Sequence, residues 1–217
     1  MHAIAFVTQK GGAGKSTLAA CLGVAAQEAE ERVFLIDMDP QGSLQGWGQS
    51  RNAETPIVDT ITPVKLEAAL GTLAGNGYTL AIIDTAGADT AAAAAVMRVV
   101  NLCLIPVRPT AFDIRATEKT RDALKTLGRE YAFILNQCPP GPRSSRANDG
   151  ARALELMGGL ATPMIASRVD YQTAAVTGQG VTELNPHGKA AEEMRELWAS
   201  VKRRLGVRKH GKAARVA

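Results

Sequence analysis

The chain has 217 residues, 46% of them hydrophobic, which is enough to bury the core of one sizeable domain. No apolar run approaches the roughly 18 residues that span a bilayer, and the first run, residues 3–7, is too short for a signal-peptide core. These features predict a cytoplasmic protein without a membrane-spanning segment. Cys21, Cys103 and Cys138 match no metal-binding spacing, so we expect reduced, buried thiols.

The net charge of +4 is concentrated at the C-terminus. Seven basic residues and no acidic ones lie in positions 202–217, and without them 18 basic residues remain against 21 acidic ones. The body of the protein is therefore mildly acidic, and the basic end suggests nucleic acid or another anionic surface as a partner. A merely solvated helix end is the alternative. The seven residues are Lys202, Arg203, Arg204, Arg208, Lys209, Lys212 and Arg215.

Apolar, β-branched-rich runs alternate with helix-like segments along the chain. Near-continuous apolar runs are typical of strands covered on both faces, and their alternation with helices predicts a doubly wound α/β fold with a mostly parallel sheet between two helical layers. We expect strands at residues 3–7, 32–37, 80–84, 102–107, 131–136 and, more weakly, 162–166. We expect helices at residues 16–30, 90–100 (with Thr90 as N-cap), 114–127, 147–157 and 186–205, and loops at 40–62 and 139–150.

The first predicted strand leads into a glycine-rich turn, QKGGAGKST at residues 9–17, which opens the first helix. Glycines let backbone N–H groups converge on phosphates, the helix N-terminus favours anions, Lys15 adds charge, and Ser16 can bind Mg²⁺. The usual first glycine of such a loop is replaced by Gln9, so this is a variant form. The predicted nucleotide-binding residues are Gly11, Gly12, Ala13, Gly14, Lys15, Ser16 and Thr17.

Acidic residues follow two of the predicted strands. Asp37 and Asp39 end the strand RVFLID and its DMDPQG continuation, and Asp84 ends LAIID. Because ligands of open α/β sheets lie beyond the carboxyl ends of the strands, we expect these carboxylates to meet the phosphates and a metal. Phosphoryl transfer requires a metal, an oriented water and positive charge, and all three can be assigned here. The alternative is that the three are ordinary acidic turn residues.

The sequence after the fifth strand bears on the identity of the nucleotide. Guanine-specific enzymes typically carry Asn-Lys-x-Asp after a late strand, whereas this chain has Asn136-Gln137-Cys138-Pro139 and lacks the carboxylate. ATP is therefore favoured over GTP. Asn136 is a candidate adenine contact, although it could equally cap the end of the strand.

The chain resembles the ParA/MinD family of deviant Walker A ATPases in four segments, which are KGGAGKST, DMDPQG, IIDTAG and ELNPHGKAAEEMRELW. The similarity extends from residue 3 to about residue 205, and it is greatest to the short ParA-type members, which have no N-terminal helix-turn-helix. It implies a single P-loop ATPase domain at residues 1–205. Residues 206–217 are then expected to form a flexible basic tail.

The resemblance also implies a role for each site residue. Lys10 would reach the phosphates of ATP in a facing subunit, Lys15 would bind its own phosphates, and Asp39 would position the attacking water. Ser16, Asp37 and Asp84 would form or support the Mg²⁺ site. The segment after Asp39 and residues 84–89 would be the two switches that respond to the γ-phosphate.

Members of this family bind either DNA or membrane. An apolar stripe with helical spacing lies near the C-terminus, and we expect it to pack on the sheet rather than on lipid. Its residues are Met194, Leu197, Trp198, Val201 and Leu205. The basic end then favours non-specific DNA, with Lys202, Arg203, Arg204, Arg208 and Lys209 as candidate contacts.

The resulting prediction is a weak, Mg²⁺-dependent ATPase that forms an ATP-sandwich homodimer on non-specific DNA and releases it after hydrolysis. We expect a nucleoid-associated protein that positions a plasmid, a chromosome region or a large protein assembly. A ParB-like or other adaptor protein would stimulate hydrolysis, and no stable membrane insertion is expected. The alternative is a MinD-like ATPase that acts at a membrane surface.

Overall fold

A six-stranded parallel sheet forms the centre of the protein, which we describe from a computed structural model covering residues 1–87, 91–141 and 144–206. The strand order is β3-β2-β4-β1-β5-β6, so the chain crosses over the sheet between sequential strands, as the predicted doubly wound fold requires. The strands are β1 (His2–Phe6), β2 (Val33–Met38), β3 (Ile57–Thr60), β4 (Leu80–Thr85), β5 (Leu102–Val107) and β6 (Tyr131–Leu135).

Helices cover both faces of the sheet. Alternate strand residues point to opposite sides, so Ile4 and Phe6 lie in one apolar cluster and Ala5 and Val7 in the other. The predicted fold class is confirmed. The helices are α1 (Lys15–Glu28), α2 (Ser43–Gln49), α3 (Leu66–Gly75), α4 (Ala91–Val99), α5 (Ala111–Ala116), α6 (Glu118–Thr126), α7 (Ser145–Met157), α8 (Val169–Thr177), α9 (Val181–Leu184) and α10 (Lys189–Gly206), with a 3-10 turn at Pro63–Lys65.

Several predicted elements were wrong. Residues 162–166 form no strand. This part of the chain makes only isolated bridges, which join Leu160 to Phe133 and Ala166 to Cys138. The predicted loop at 40–62 contains α2 and β3, which the sequence hid because α2 is short and glycine-containing and β3 is an edge strand with little burial. The predicted helix at 114–127 is two helices, α5 and α6, and α7 begins inside the second predicted loop.

The C-terminal helix, α10, packs against α1 and carries the predicted apolar stripe. All five residues of the stripe are buried, which confirms that it faces the protein's own core. Within the described part of the chain, no helix combines the length and apolar content needed to span a bilayer. Residues 207–217 of the predicted tail, and the predicted N-cap Thr90, lie outside the described residues.

Candidate nucleotide site

The glycine-rich turn joins β1 to α1 at the carboxyl edge of the sheet. Gly12 and Gly14 have φ values of 76° and 89°, in the left-handed region that favours glycine. A Cβ on Gly14 would lie only 2.5 Å from Nδ2 of Asn136. No side chain caps the N-terminus of α1, so its first N–H groups can bind phosphate oxygens.

Two amides from the end of β6 support this turn. Asn136 Nδ2 donates to the carbonyl of Ala13 at 2.8 Å, and Gln137 Nε2 donates to the carbonyl of Gly12 at 3.0 Å. The amino group of Asn136 is thus already bonded to the turn, and this residue is buried. Its predicted contact with adenine stays a prediction, and its observed role is to hold the phosphate loop.

Asp84, at the end of β4, is fully buried beside the turn. Neither of its carboxylate oxygens has a hydrogen-bond partner among the described residues. Burial raises the pKa of Asp84 to about 7, although the nearby Ser16 hydroxyl and Lys15 ammonium act in the opposite direction. A divalent cation at these oxygens would supply the missing partner, so Asp84 and Ser16 fit a Mg²⁺ site.

Asp37, at the end of β2, binds backbone groups instead. Its Oδ1 accepts the N–H of Asp39 at 2.9 Å, and its Oδ2 accepts the N–H of Gln45 at 2.8 Å. It therefore fixes the loop that carries Asp39 and the first turn of α2, while its predicted part in the metal site remains a prediction. No group of three or more His, Cys, Asp or Glu side chains suited to a metal occurs in the described ranges. Phosphate oxygens and water would have to complete the shell.

The two lysines of the turn occupy different environments. Lys15 is 8% exposed, and its Nζ would lie 3.5 Å from a Cβ on Gly87, so it points into the site between the turn and the end of β4. The side chain of Lys10 is 46% exposed, and its Nζ lies 3.2 Å from Asp113 Oδ1. Lys15 thus lies within the site, whereas the side chain of Lys10 extends to Asp113.

Sequence reasoning missed Asp113, whose carboxylate forms an ion pair with Lys10. Arg108 donates to both carboxylate oxygens of Asp113 at 2.9 and 3.2 Å, and the Thr110 hydroxyl donates at 2.8 Å. Partial burial raises the pKa of Asp113, but these hydrogen bonds outweigh it and leave the pKa below its ordinary value. Because Arg108 and Thr110 satisfy the carboxylate, Lys10 can leave it without stranding a buried charge.

A cavity of about 320 Å³ adjoins the turn, and we call this candidate site for the base and sugar the nucleoside cavity. Sequence reasoning missed its far wall because α8 was not predicted. Arg168 on that wall binds Glu193 of α10 at 2.5 Å, and the Tyr171 hydroxyl lies 3.3 Å from the same carboxylate. A larger cavity, of about 610 Å³, lies at the amino end of the sheet, where none of the predicted nucleotide-binding residues is found. Residues of the smaller cavity include Gly14, Thr17, Asn136, Arg168, Tyr171 and Gln172.

Comparison with known protein families identifies the family of this chain. The model of the CobQ/CobB/MinD/ParA nucleotide-binding domain matches residues 4–204. The chain belongs to this family. The resemblance drawn from the sequence is thereby confirmed. The members of this family are nucleotide-binding ATPases, which agrees with the presence of the phosphate loop.

Three proteins illustrate the relationship of this CobQ/CobB/MinD/ParA chain to others. It is 32% identical over 196 residues to maintenance of carboxysome distribution protein A of Gloeobacter kilaueensis, covering 88% of this chain and 87% of that protein. It is 34% identical over 147 residues to chromosome partitioning protein ParA of Caulobacter vibrioides, covering 64% of this chain and 48% of that protein. The structure of septum site-determining protein MinD with Mg-ADP from Pyrococcus horikoshii shares the fold, with a TM-score of 0.73 and 20% identity over 95% of this chain and 98% of that one.

The three candidate DNA-binding residues that the structure describes lie at the opposite end of the sheet from the phosphate loop. Lys202 binds Glu31 at 2.8 Å, Arg204 donates to the carbonyl of Leu160 at 2.8 Å, and Arg203 is exposed at the rim of the larger cavity. That cavity adjoins the first residues of β1 and β5, so the length of the strands, about 15–20 Å, separates it from the phosphate loop. Arg208 and Lys209 lie outside the described residues.

Proposed function

We propose that this protein is a Mg²⁺-dependent ATPase whose ATP-bound homodimer holds non-specific DNA and releases it after hydrolysis. The observation that carries the proposal is the different placement of the two lysines, with Lys15 buried in the site and Lys10 half exposed beside it. A lysine that points away from its own phosphates is available to those of a facing subunit. ATP would then form part of the dimer interface.

The residues of the site support hydrolysis within such a dimer. Bound Mg²⁺ would neutralise charge on the phosphate oxygens, and Ser16 and Asp84, which interact with each other, would hold it. Lys15 stabilises charge from the same subunit and Lys10 from the partner, while Asp39 orients the attacking water. Asp37 keeps the loop of Asp39 in place through two backbone N–H groups.

The position of the basic end supports DNA binding by the dimer. Because Arg203 lies across the sheet from the phosphate loop, a dimer that meets at the nucleotide edge leaves both copies of this residue exposed. Two modest phosphate-binding surfaces joined in one particle bind DNA far more tightly than one. Pairing driven by ATP would thereby control DNA binding.

A membrane-binding role is less well supported. The apolar stripe of α10 is buried, so among the described residues this helix offers no apolar face to lipid. The names of the relatives suggest the class of cargo, since one acts in carboxysome distribution and another in chromosome partitioning. We propose a nucleoid-associated protein that positions an assembly, plasmid or chromosome region and whose ATPase is weak until a ParB-like or other adaptor stimulates it.

The test uses the Asp39→Ala variant, which should keep ATP and remain dimeric. We would measure its binding to a random-sequence DNA duplex with ATP and with ADP across a salt series. Binding that requires ATP and weakens by a slope of about −0.9 per neutralised phosphate supports the proposal. Equal binding in both nucleotides, or none in either, contradicts it, and binding to anionic vesicles instead would favour the membrane alternative.

A further inference from the structure

Arg51 is an almost fully buried arginine in a segment that the sequence predicts as loop. Its side chain is 4% exposed, and its five N–H donors match five hydrogen bonds. Nε and Nη2 donate to the carbonyl of Thr55, Nη1 donates to the carbonyl of Gly178 at 2.9 Å, and Nη1 and Nη2 bind the two oxygens of Glu183 at 2.8 and 2.6 Å. A guanidinium so completely bonded has one defined position.

This arginine fixes the C-terminal end of α2, as Asp37 fixes its beginning. The guanidinium carbon lies 5.1 Å from the ring centre of Trp47, inside α2, and Trp47 Nε1 donates to the carbonyl of Gln179 at 3.0 Å. At the other end, Asp37 accepts the N–H of Gln45. The helix that follows Asp39 is thus attached at its start, middle and end.

The attachment point is the turn between α8 and α9. Gly178 has a φ of 66°, and a Cβ there would lie 2.5 Å from the backbone of Ser50 and Arg51, so the two segments are in direct contact. Helix α8 also forms the far wall of the nucleoside cavity, through Tyr171 and Gln172. Arg51 therefore joins the loop of Asp39 to the helix that lines the nucleotide.

We propose that Arg51 is a positioning residue for hydrolysis, which acts by holding α2, and with it Asp39, at a fixed place relative to the bound nucleotide. This inference rests on the proposed ATPase function. A carboxylate that orients water matters in the transition state, so its misplacement should lower kcat more than it weakens ATP binding. Arg51 is not among the residues that line the nucleoside cavity, so its replacement leaves that lining unchanged.

The test compares Arg51→Lys and Glu183→Gln with the wild type in steady-state ATP hydrolysis. We expect kcat to fall about 10-fold or more in Arg51→Lys, because the three donors of lysine cannot replace the five hydrogen bonds of arginine, while KM changes less than about three-fold. Glu183→Gln keeps an acceptor for the N–H of Gly180 and should be intermediate. Arg195→Ala, which removes the exposed ion pair to Glu28, is the matched control and should leave both constants unchanged.

The choice of variants avoids a folding artefact. Arg51→Ala would leave Glu183 partly buried without its partner and would be expected to destabilise the protein, so the conservative variants carry the test. The chain has two tryptophans, so a Trp198→Phe background isolates the emission of Trp47, which should become more accessible to acrylamide in Arg51→Lys.

Three outcomes separate this inference from the proposed function. If the wild type hydrolyses no ATP under any condition, the proposed function fails. If the wild type hydrolyses ATP and Arg51→Lys has an unchanged kcat, Arg51 is not a positioning residue. If kcat, ATP affinity and melting temperature all fall together, Arg51 has only a general structural role, and the inference is wrong.

Discussion

Replacing Asp84 with Asn should stabilise the nucleotide-free protein, and should do so more at pH 8 than at pH 5. Burial raises the pKa of Asp84 from 3.8 to about 7. Between these two pH values the carboxyl group is protonated in the folded state and ionised in the unfolded state. The wild type thus loses stability as pH rises from 3.8 to about 7, and the loss is constant above that window. At 1.36 kcal/mol per pKa unit, the advantage of Asn is about 2 kcal/mol at pH 5 and about 4 kcal/mol at pH 8.

The assay is urea unfolding followed by far-UV circular dichroism in EDTA without nucleotide, at pH values from 5 to 8. Asp59→Asn, at an exposed carboxylate of the edge strand β3, is the matched control and should show no such pH dependence. With Mg-ADP at pH 8 the wild type should gain more stability than Asp84→Asn, because the cation compensates the buried charge. A difference between wild type and Asp84→Asn that stays constant from pH 5 to 8 would refute the reasoning.

Three further predictions concern the loop, the exposed lysine and the basic end. Gly14→Ala should abolish ADP binding in calorimetry, since its Cβ would meet Asn136 and its φ is strained for alanine; normal binding would contradict this. In light scattering with ATP, Lys10→Ala should stay monomeric, and Asp113→Asn should dimerise at lower ATP because it releases Lys10; the opposite order would argue against a lysine acting in trans. Arg203→Ala should flatten the salt dependence of DNA binding by about one phosphate per subunit, and an unchanged slope would move the DNA surface elsewhere.

The sheet and the phosphate loop could be predicted because their signals are local. A buried parallel strand needs an uninterrupted apolar run, which β1, β2, β4, β5 and β6 each have, and the loop is encoded in nine consecutive residues. The exposed edge strand β3 has no such run and was missed. The weak apolar segment at 162–166 was overpredicted because an apolar run indicates burial, which a coil segment can also achieve.

The supporting residues of the site could not be predicted because they act across the chain. Arg51 and Glu183 are 132 positions apart and meet only once α8 and α9 are folded against α2. Asp113 and Lys10 come from different strand ends, and nothing in either local sequence marks the pair. Asn136 was found, but its observed bond is to the loop, since a sequence does not indicate which way an amide points.

The rate at which the three buried cysteines react with a thiol reagent should report how often the fold opens. Burial raises the pKa of Cys21 and Cys103 to about 12 and that of Cys138 to about 11, so the folded protein presents almost no thiolate to a disulfide reagent. Modification must await local or global opening, and the thiols lie in α1, β5 and the segment after β6. Time courses of labelling, resolved by peptide mass, would therefore give separate opening rates for three regions of the native protein.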